Sequence, residues 1–275
     1  MAESIKDIQS NPFDQVAIWP GWLGRVTLCA EPGFRLEDIL RIITLTFTAG
    51  ICIPAGGAIA HLTQIRPNWL DNELRHFIIA LGGGILLGAI ILVFIPEGIR
   101  AMDHSFSTVV PLVLGGTTFF LIEHQLGIKR RESPQLAGML LDYIPECLAL
   151  GGLIVIDFSS ALLLAILIGL QNIPEGFNAY KEIVALTKNS PRTTLSFMIL
   201  LAFIGPLAGL IGFYAFTGHH ATLGATMLFS SGGILYLIFQ DIAPQSHLEK
   251  HWAPPLGAVV GVAITLFGQL VMNKL

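Results

Sequence analysis

Residues 135–179 read QLAGMLLDYIPECLALGGLIVIDFSSALLLAILIGLQNIPEGFNA. Two apolar segments, each of the roughly 20 residues that cross a bilayer as a helix, meet at Asp157 with almost no linker. Each carries the same odd string deep inside apolar sequence: Asp142-Tyr143-Ile144-Pro145-Glu146 in the first and Gln171-Asn172-Ile173-Pro174-Glu175 in the second. The pair predicts a tight antiparallel helical hairpin buried in membrane, with polar groups at its middle.

Outward from this hairpin the pattern repeats. Apolar stretches at about 42–61, 76–97, 107–125, 135–156, 158–179, 194–217, 222–241 and 253–273 predict eight transmembrane helices in an all-α polytopic membrane protein. Composition agrees: 53% of residues are hydrophobic and 12% charged, against roughly 25% charged in a soluble domain. The 29 glycines and 15 prolines fit close helix packing in lipid, where neighbours re-satisfy a broken backbone. A net charge of -4, with basic residues scattered through short loops, excludes the extended positive surface that nucleic-acid binding needs. Cys29, Cys52 and Cys147 lie far apart without a CxxC spacing, so neither a disulfide framework nor a thiolate zinc site is indicated. The chain divides into residues 1–38, an interfacial, extracytoplasmic segment with Trp19 and Trp22 around Pro20, and a transport domain over 39–275; no cleavable signal peptide is evident.

The loops set an orientation. Connections one, three, five and seven hold Arg66 and Arg75; Lys129, Arg130 and Arg131; Lys181, Lys188 and Arg192; and Lys250, while connections two, four and six hold only Arg100. Short cytoplasmic loops retain Lys and Arg, so this basic end is expected inside and both termini outside. The expected location is a bacterial inner (plasma) membrane. Internal repetition is also present. Gly83-Gly84-Ile85-Leu86 precedes Ile95-Pro96-Glu97 in the second span, and Gly232-Gly233-Ile234-Leu235 precedes Ala243-Pro244-Gln245 in the seventh, as diverged copies would. Paired repeats of this kind are how many transporters are built.

The chemistry lies in the central motifs. An ionised side chain at mid-bilayer costs about 2.5–3.5 kcal/mol even on insertion scales, so Asp142, Glu146 and Glu175 require compensation. Asp142 and Glu146 share a helical face at i,i+4, as do Gln171 and Glu175, and an antiparallel pair lets the two faces meet. Pro145 cannot donate to the Leu141 carbonyl, nor Pro174 to that of Leu170, so each motif frees a carbonyl beside its first polar residue. No Lys, Arg or His falls within the two predicted spans. Freed carbonyls beside carboxylates at mid-membrane are how transporters coordinate cations. The candidate ligands are Asp142, Glu146, Gln171, Asn172 and Glu175. The bland alternative, a kink with protonated acids, would spend three carboxyls and two amides on holding two helices together.

Here the residues resemble the ZIP (Zrt/Irt-like protein) family of divalent-metal transporters, over about residues 40–275 but specifically only in spans four and five. The resemblance implies a ZIP-like helix bundle with inverted repeats and a binuclear metal site where family members read His-Asn-x-Pro-Glu-Gly. By position Asp142 takes the place of the first histidine, Tyr143 that of the asparagine, Glu146 matches the glutamate, Gln171 and Asn172 stand at the His-Asn or Gln-Asp pair, and Glu175 matches outright. Two departures bear on the second metal: Tyr143 replaces a ligand-type residue, and Gly205 precedes Pro206 where members commonly carry Glu. A single site is the expectation. The family's histidine-rich third loop is absent from Gly127–Glu132. An all-oxygen ligand set suits Mn²⁺ or Fe²⁺ better than Zn²⁺, which favours nitrogen and sulfur; Cys147 projects about 100° away from Glu146.

The expected function is import of a divalent cation (Zn, Fe or Mn) as substrate, without an organic cofactor and without catalysis. Glu97, Asp103, His104, His219 and His220 fall at the outer ends, and Glu123, His124, Asp241, His247 and His251 at the inner ends, where they could gather and release metal. Gly257 and Gly261 suit small-residue packing, either in a homodimer or within the chain. Two other classes remain open: a metal-binding receptor or scaffold that keeps the fold without transport, and an intramembrane metalloenzyme, which the lack of histidine in the motif helices disfavours.

Overall fold

The computed structural model describes residues 36–63, 68–127, 134–187, 190–248 and 252–274, all within one unit, Phe34–Leu275. The amino-terminal segment with Trp19 and Trp22, Cys29, Arg66, the 128–133 loop, Lys188, Lys250 and His251 lie outside the described residues. In order, the helices are α1 (Leu36–Thr63), α2 (Asn68–Ala89), which a π-helical turn (Ile90–Phe94) continues into α3 (Ile95–Ala101), α4 (Val109–Gly127), α5 (Pro134–Leu153), α6 (Phe158–Thr187), α7 (Pro191–Ala202), α8 (Ile204–Phe216), α9 (His220–Leu237), which a second π turn (Ile238–Ile242) continues into α10 (Ala243–Ser246), and α11 (Leu256–Met272). No β-strand occurs among the described residues. Seven of these stretches are long and apolar enough to cross a membrane. The eighth, α11, has 17 residues and so is about 25 Å long, at the short end of what spans the hydrocarbon.

The hairpin at Asp157 forms as its spacing predicts. The Asp157 carboxylate accepts from the backbone N–H of Ser159 (3.0 Å) and Ser160 (3.3 Å) and from the Ser160 hydroxyl (2.8 Å), capping α6 at its first turn. At the far end α6 runs on to Thr187, beyond the apolar stretch that ends near residue 179. Charge at Lys181 and Glu182 marks where lipid ends, not where helix ends.

Two departures from the expected spans have one cause. Pro206 cannot donate to the carbonyl of Ala202, and the sixth span breaks there, at Phe203, into α7 and α8. Pro96 and Pro244 widen their helices instead: the N–H groups of Ile95 and Ala243 bond back to the carbonyls of Ile90 and Ile238, five residues away, and each π turn begins six residues before its proline. The two Gly-Gly-Ile-Leu copies therefore share a local distortion as well as a motif.

Packing shows the same duplication. Span one (α1) packs on span five (α6) as span six (α7–α8) packs on span four (α5), chiefly through α8, and span two (α2) packs on span eight (α11) as span seven (α9) packs on span three (α4). Exchanging one with six, two with seven, three with eight and four with five maps each pair onto the other. The partners run in opposite directions, which is an inverted-topology repeat. Glycines permit the closest approaches: a Cβ on Gly84 would overlap the Ala258 carbonyl of α11, and one on Gly232 the Leu112 carbonyl of α4. Gly257 and Gly261 are spent in the same way, against the Phe77 and Leu81 carbonyls of α2, so this stripe packs within the chain. At the periphery, α4 turns Val109, Val110, Val113 and Leu114 outward, the face expected against lipid, while α6 is the most enclosed of the spans.

Candidate metal centre

The site is built on the α5–α6 pair, both of which stay α-helical through Pro145 and Pro174. Two hydrogen-bonded contacts fix their register. At the basic end the Glu182 carboxylate accepts from the backbone N–H of Gln135 and Leu136 (both 3.1 Å), capping the exposed donors of the first turn of α5. At mid-span Gln171 Nε2 donates to Glu146 Oε2 at 2.5 Å. Asp142 then falls opposite Glu175, and it lies within electrostatic range of both Glu175 and Glu146. The expected convergence of the two polar faces is present.

Burial is severe. Glu146, Gln171 and Asn172 are 0% exposed and Asp142 3%. Asn172 is anchored to α1, its Nδ2 donating to the Ala49 carbonyl at 2.9 Å. That contact depends on two glycines, because a Cβ on Gly56 would overlap the Ile173 carbonyl and one on Gly176 the Ile53 carbonyl. With the amide nitrogens of Gln171 and Asn172 committed to protein partners, their oxygens are left over. Asp142 Oδ1, Glu146 Oε1, Gln171 Oε1, Asn172 Oδ1 and both carboxylate oxygens of Glu175 are shielded from solvent and have no hydrogen-bond donor among the described residues. Nor do Asp142, Glu146 or Glu175 form an ion pair with any described residue. Each buried polar atom left without a partner costs about 1–3 kcal/mol, more when charged.

The geometry is not a closed cage of acidic, thiol or imidazole ligands: among the described residues no group of three or more His, Cys, Asp or Glu side chains is drawn together to hold a metal ion. Amides supply part of the donor set, and the Gln171 bond occupies one oxygen of Glu146. What the arrangement offers chemically is a patch of hard oxygen acceptors, suited to a hard cation.

The two positions that depart from the ZIP pattern are in contact. The Tyr143 hydroxyl lies 3.4 Å from the Thr46 carbonyl and 3.5 Å from the Ala202 carbonyl, the acceptor left free by Pro206. A Cβ at Gly205 or Gly50 would overlap that hydroxyl. Tyr143 and a carboxylate side chain at 205 therefore exclude one another, and Tyr143 points at α1 and the α7–α8 break instead of joining the acidic patch. Cys147 packs beside Tyr143 and is a free thiol, as is Cys52.

The peripheral residues sort differently. Glu97 is engaged at the end opposite the basic one, with both oxygens 2.9 Å from Arg100 Nη1 and Oε1 accepting from the Ser160 hydroxyl at 3.1 Å. Asp103 and His104, both at φ 53°, form the turn after α3, His219 precedes α9, and Asp241 sits in the second π turn. The Tyr180 hydroxyl meets His61 Nδ1 at 3.0 Å. Sequence reasoning passed over this pair, and over Asn178, which is 2% exposed with Nδ2 donating to the Pro174 carbonyl at 2.9 Å. Its spacing of seven from Gln171 and three from Glu175 was the available signal.

No family model matches the chain, and no curated protein matches it.

Proposed function

We propose that the protein is a divalent metal-ion transporter of ZIP type, an importer that carries its cation across the membrane through the α5–α6 site. The observation that carries this reading is the set of unpartnered buried oxygens on Asp142, Glu146, Gln171, Asn172 and Glu175. A cation drawn into the patch supplies interactions that these oxygens lack within the protein. Glu146 and Glu175 act as principal ligands, Asp142 and Gln171 complete the sphere, and Asn172, held to the Ala49 carbonyl of α1, ligates or supports from behind them. The inverted repeat supports alternating access, with one helix group rocking against the other about the fixed site. Positive charge at the basic end supports the orientation with that end inside, and a bacterial inner membrane is the proposed setting.

The oxygen-only ligand set favours Mn²⁺ or Fe²⁺ over Zn²⁺. Uptake of Zn²⁺ that persists against tenfold excess Mn²⁺ contradicts that preference. The reading as a whole is tested by uptake of a metal panel into proteoliposomes: wild type moves a divalent cation and Glu175→Ala does not. A second reading has one observation in its favour. Tyr143 filling the space at Gly205 ties α5 to α1 and α8, as a non-transporting metal receptor would require. Purified protein that binds metal without flux establishes that reading instead.

A further inference from the structure

The polar face of the α5–α6 pair does not stop at the acidic patch. On α6, Gln171, Glu175, Asn178 and Glu182 follow at intervals of four, three and four, one stripe on one face; on α5, Gln135, Met139, Asp142 and Glu146 do the same. The contacts of Glu182 with the start of α5 and of Gln171 with Glu146 lock the two stripes in register. Asn178 then stands across from Met139, about 4.5 Å along the axis from Glu175 toward the basic end. There the seam finishes at Glu182, Gln135 and Gln245, the Gln135 amide donating to Gln245 Oε1. In the other direction the same register leads to Leu150, Leu153, Leu164 and Leu167, all buried in one apolar cluster. On one side of the patch the seam carries Asn178 and then Glu182, Gln135 and Gln245, with buried Met139 the one apolar member of the two stripes there; on the other side it is apolar throughout.

Asn178 is the informative member. It is 98% buried, its amide nitrogen is held by the Pro174 carbonyl, and Oδ1 has no donor among the described residues. Holding the nitrogen back on its own helix directs the oxygen away from that helix. A structural asparagine at a lipid-free helix contact would bring both ends of its amide to partners.

We propose that Asn178 Oδ1 forms a second binding station for a divalent cation, through which the ion leaves the Glu146–Glu175 patch toward the basic end along the α5–α6 seam. The proposal rests on the transport reading above. A side-chain oxygen suits such a step, since it replaces part of the ion's hydration shell. Glu175, between the two stations, serves both.

The test uses full-length protein, with equilibrium Mn²⁺ binding in detergent and radioactive Mn²⁺ flux in proteoliposomes. Asn178→Leu is expected to slow flux about tenfold, the loss of one ion–dipole contact, while Mn²⁺ affinity at the patch stays within about twofold. Asn178→Asp, which retains oxygen donors but cannot donate to the Pro174 carbonyl, is expected to retain flux. Wild-type flux in Asn178→Leu overturns the station, and so does an Asn178→Asp variant as slow as the Leu one, because the bond to Pro174 is then what matters. If the Leu variant loses binding as well, the Asp variant decides alone. Wild-type protein that neither binds nor moves Mn²⁺, Fe²⁺ or Zn²⁺ removes the transport reading itself, and the station with it.

Discussion

The central helix pair and the outer pair carry the same kind of string, a proline followed by Glu or Gln inside apolar helix, and resolve it in opposite ways. In the outer pair each proline opens a π turn, and the residue after it is engaged: Glu97 by Arg100 and Ser160, Gln245 by Gln135. In the central pair both prolines sit in continuous helix and the acids after them keep unpartnered oxygens. A Pro-Glu motif in a membrane helix is thus not a site in itself. What separates the two is the supply of donors. Arg100 lies one turn from Glu97 at the membrane boundary, whereas in the middle of the α5–α6 pair the amide nitrogens of Gln171 and Asn172 are committed to Glu146 and to Ala49, and the Tyr143 hydroxyl faces the Thr46 and Ala202 carbonyls.

The sharpest way to break this contrast is to exchange roles. Glu175→Ala should lower Mn²⁺ affinity by at least about 100-fold, the upper end of what losing an outer-shell partner of a metal ligand costs, whereas Glu97→Ala should leave affinity within about twofold. An equal effect in equilibrium binding would erase the distinction. Next in size is the Tyr143 contact. Gly205→Ala pushes a methyl into the hydroxyl and should destabilise the protein by about 1–3 kcal/mol, and Tyr143→Phe should recover part of that loss. A thermal-unfolding double-mutant cycle showing independent effects would mean that the two positions are not coupled. Acidification should weaken Mn²⁺ binding, because protonation of Asp142, Glu146 or Glu175 competes directly with the ion. Affinity measured from pH 7.5 downward should fall steadily in wild type. Smallest is the outer pair itself: Glu97→Gln keeps the Ser160 contact but loses the ion pair with half-exposed Arg100, costing about 1 kcal/mol, read as a small drop in the unfolding midpoint.

Much of this was legible in sequence. The apolar stretches located the spans to within several residues, and Asp157, Pro145–Glu146 and Pro174–Glu175 marked the hairpin and its polar middle. The repeat in spans two and seven was visible as Gly-Gly-Ile-Leu and is confirmed as a shared π turn and an exchanged packing pattern. What was not legible depends on the third dimension. Pro206 gave no hint that it would break its helix while Pro145 and Pro174 would not, since the outcome turns on which neighbour takes the freed carbonyl, and Tyr143 lies 59 residues away from Ala202. Gly257 and Gly261 suited two interfaces equally until α2 was seen against them. Asn178, one residue short of the apolar boundary near 179, drew no reading, and its burial follows from α6 running on past that boundary.

The central claim is that the unpartnered oxygens of α5 and α6 hold a divalent cation. Anomalous diffraction from crystals of the purified protein grown with Mn²⁺ tests it most directly. The account predicts a peak between α5 and α6, bounded by Glu146 and Glu175, that disappears in Glu175→Ala. Crystals in which Mn²⁺ scatters elsewhere, with no peak between those helices, would contradict it.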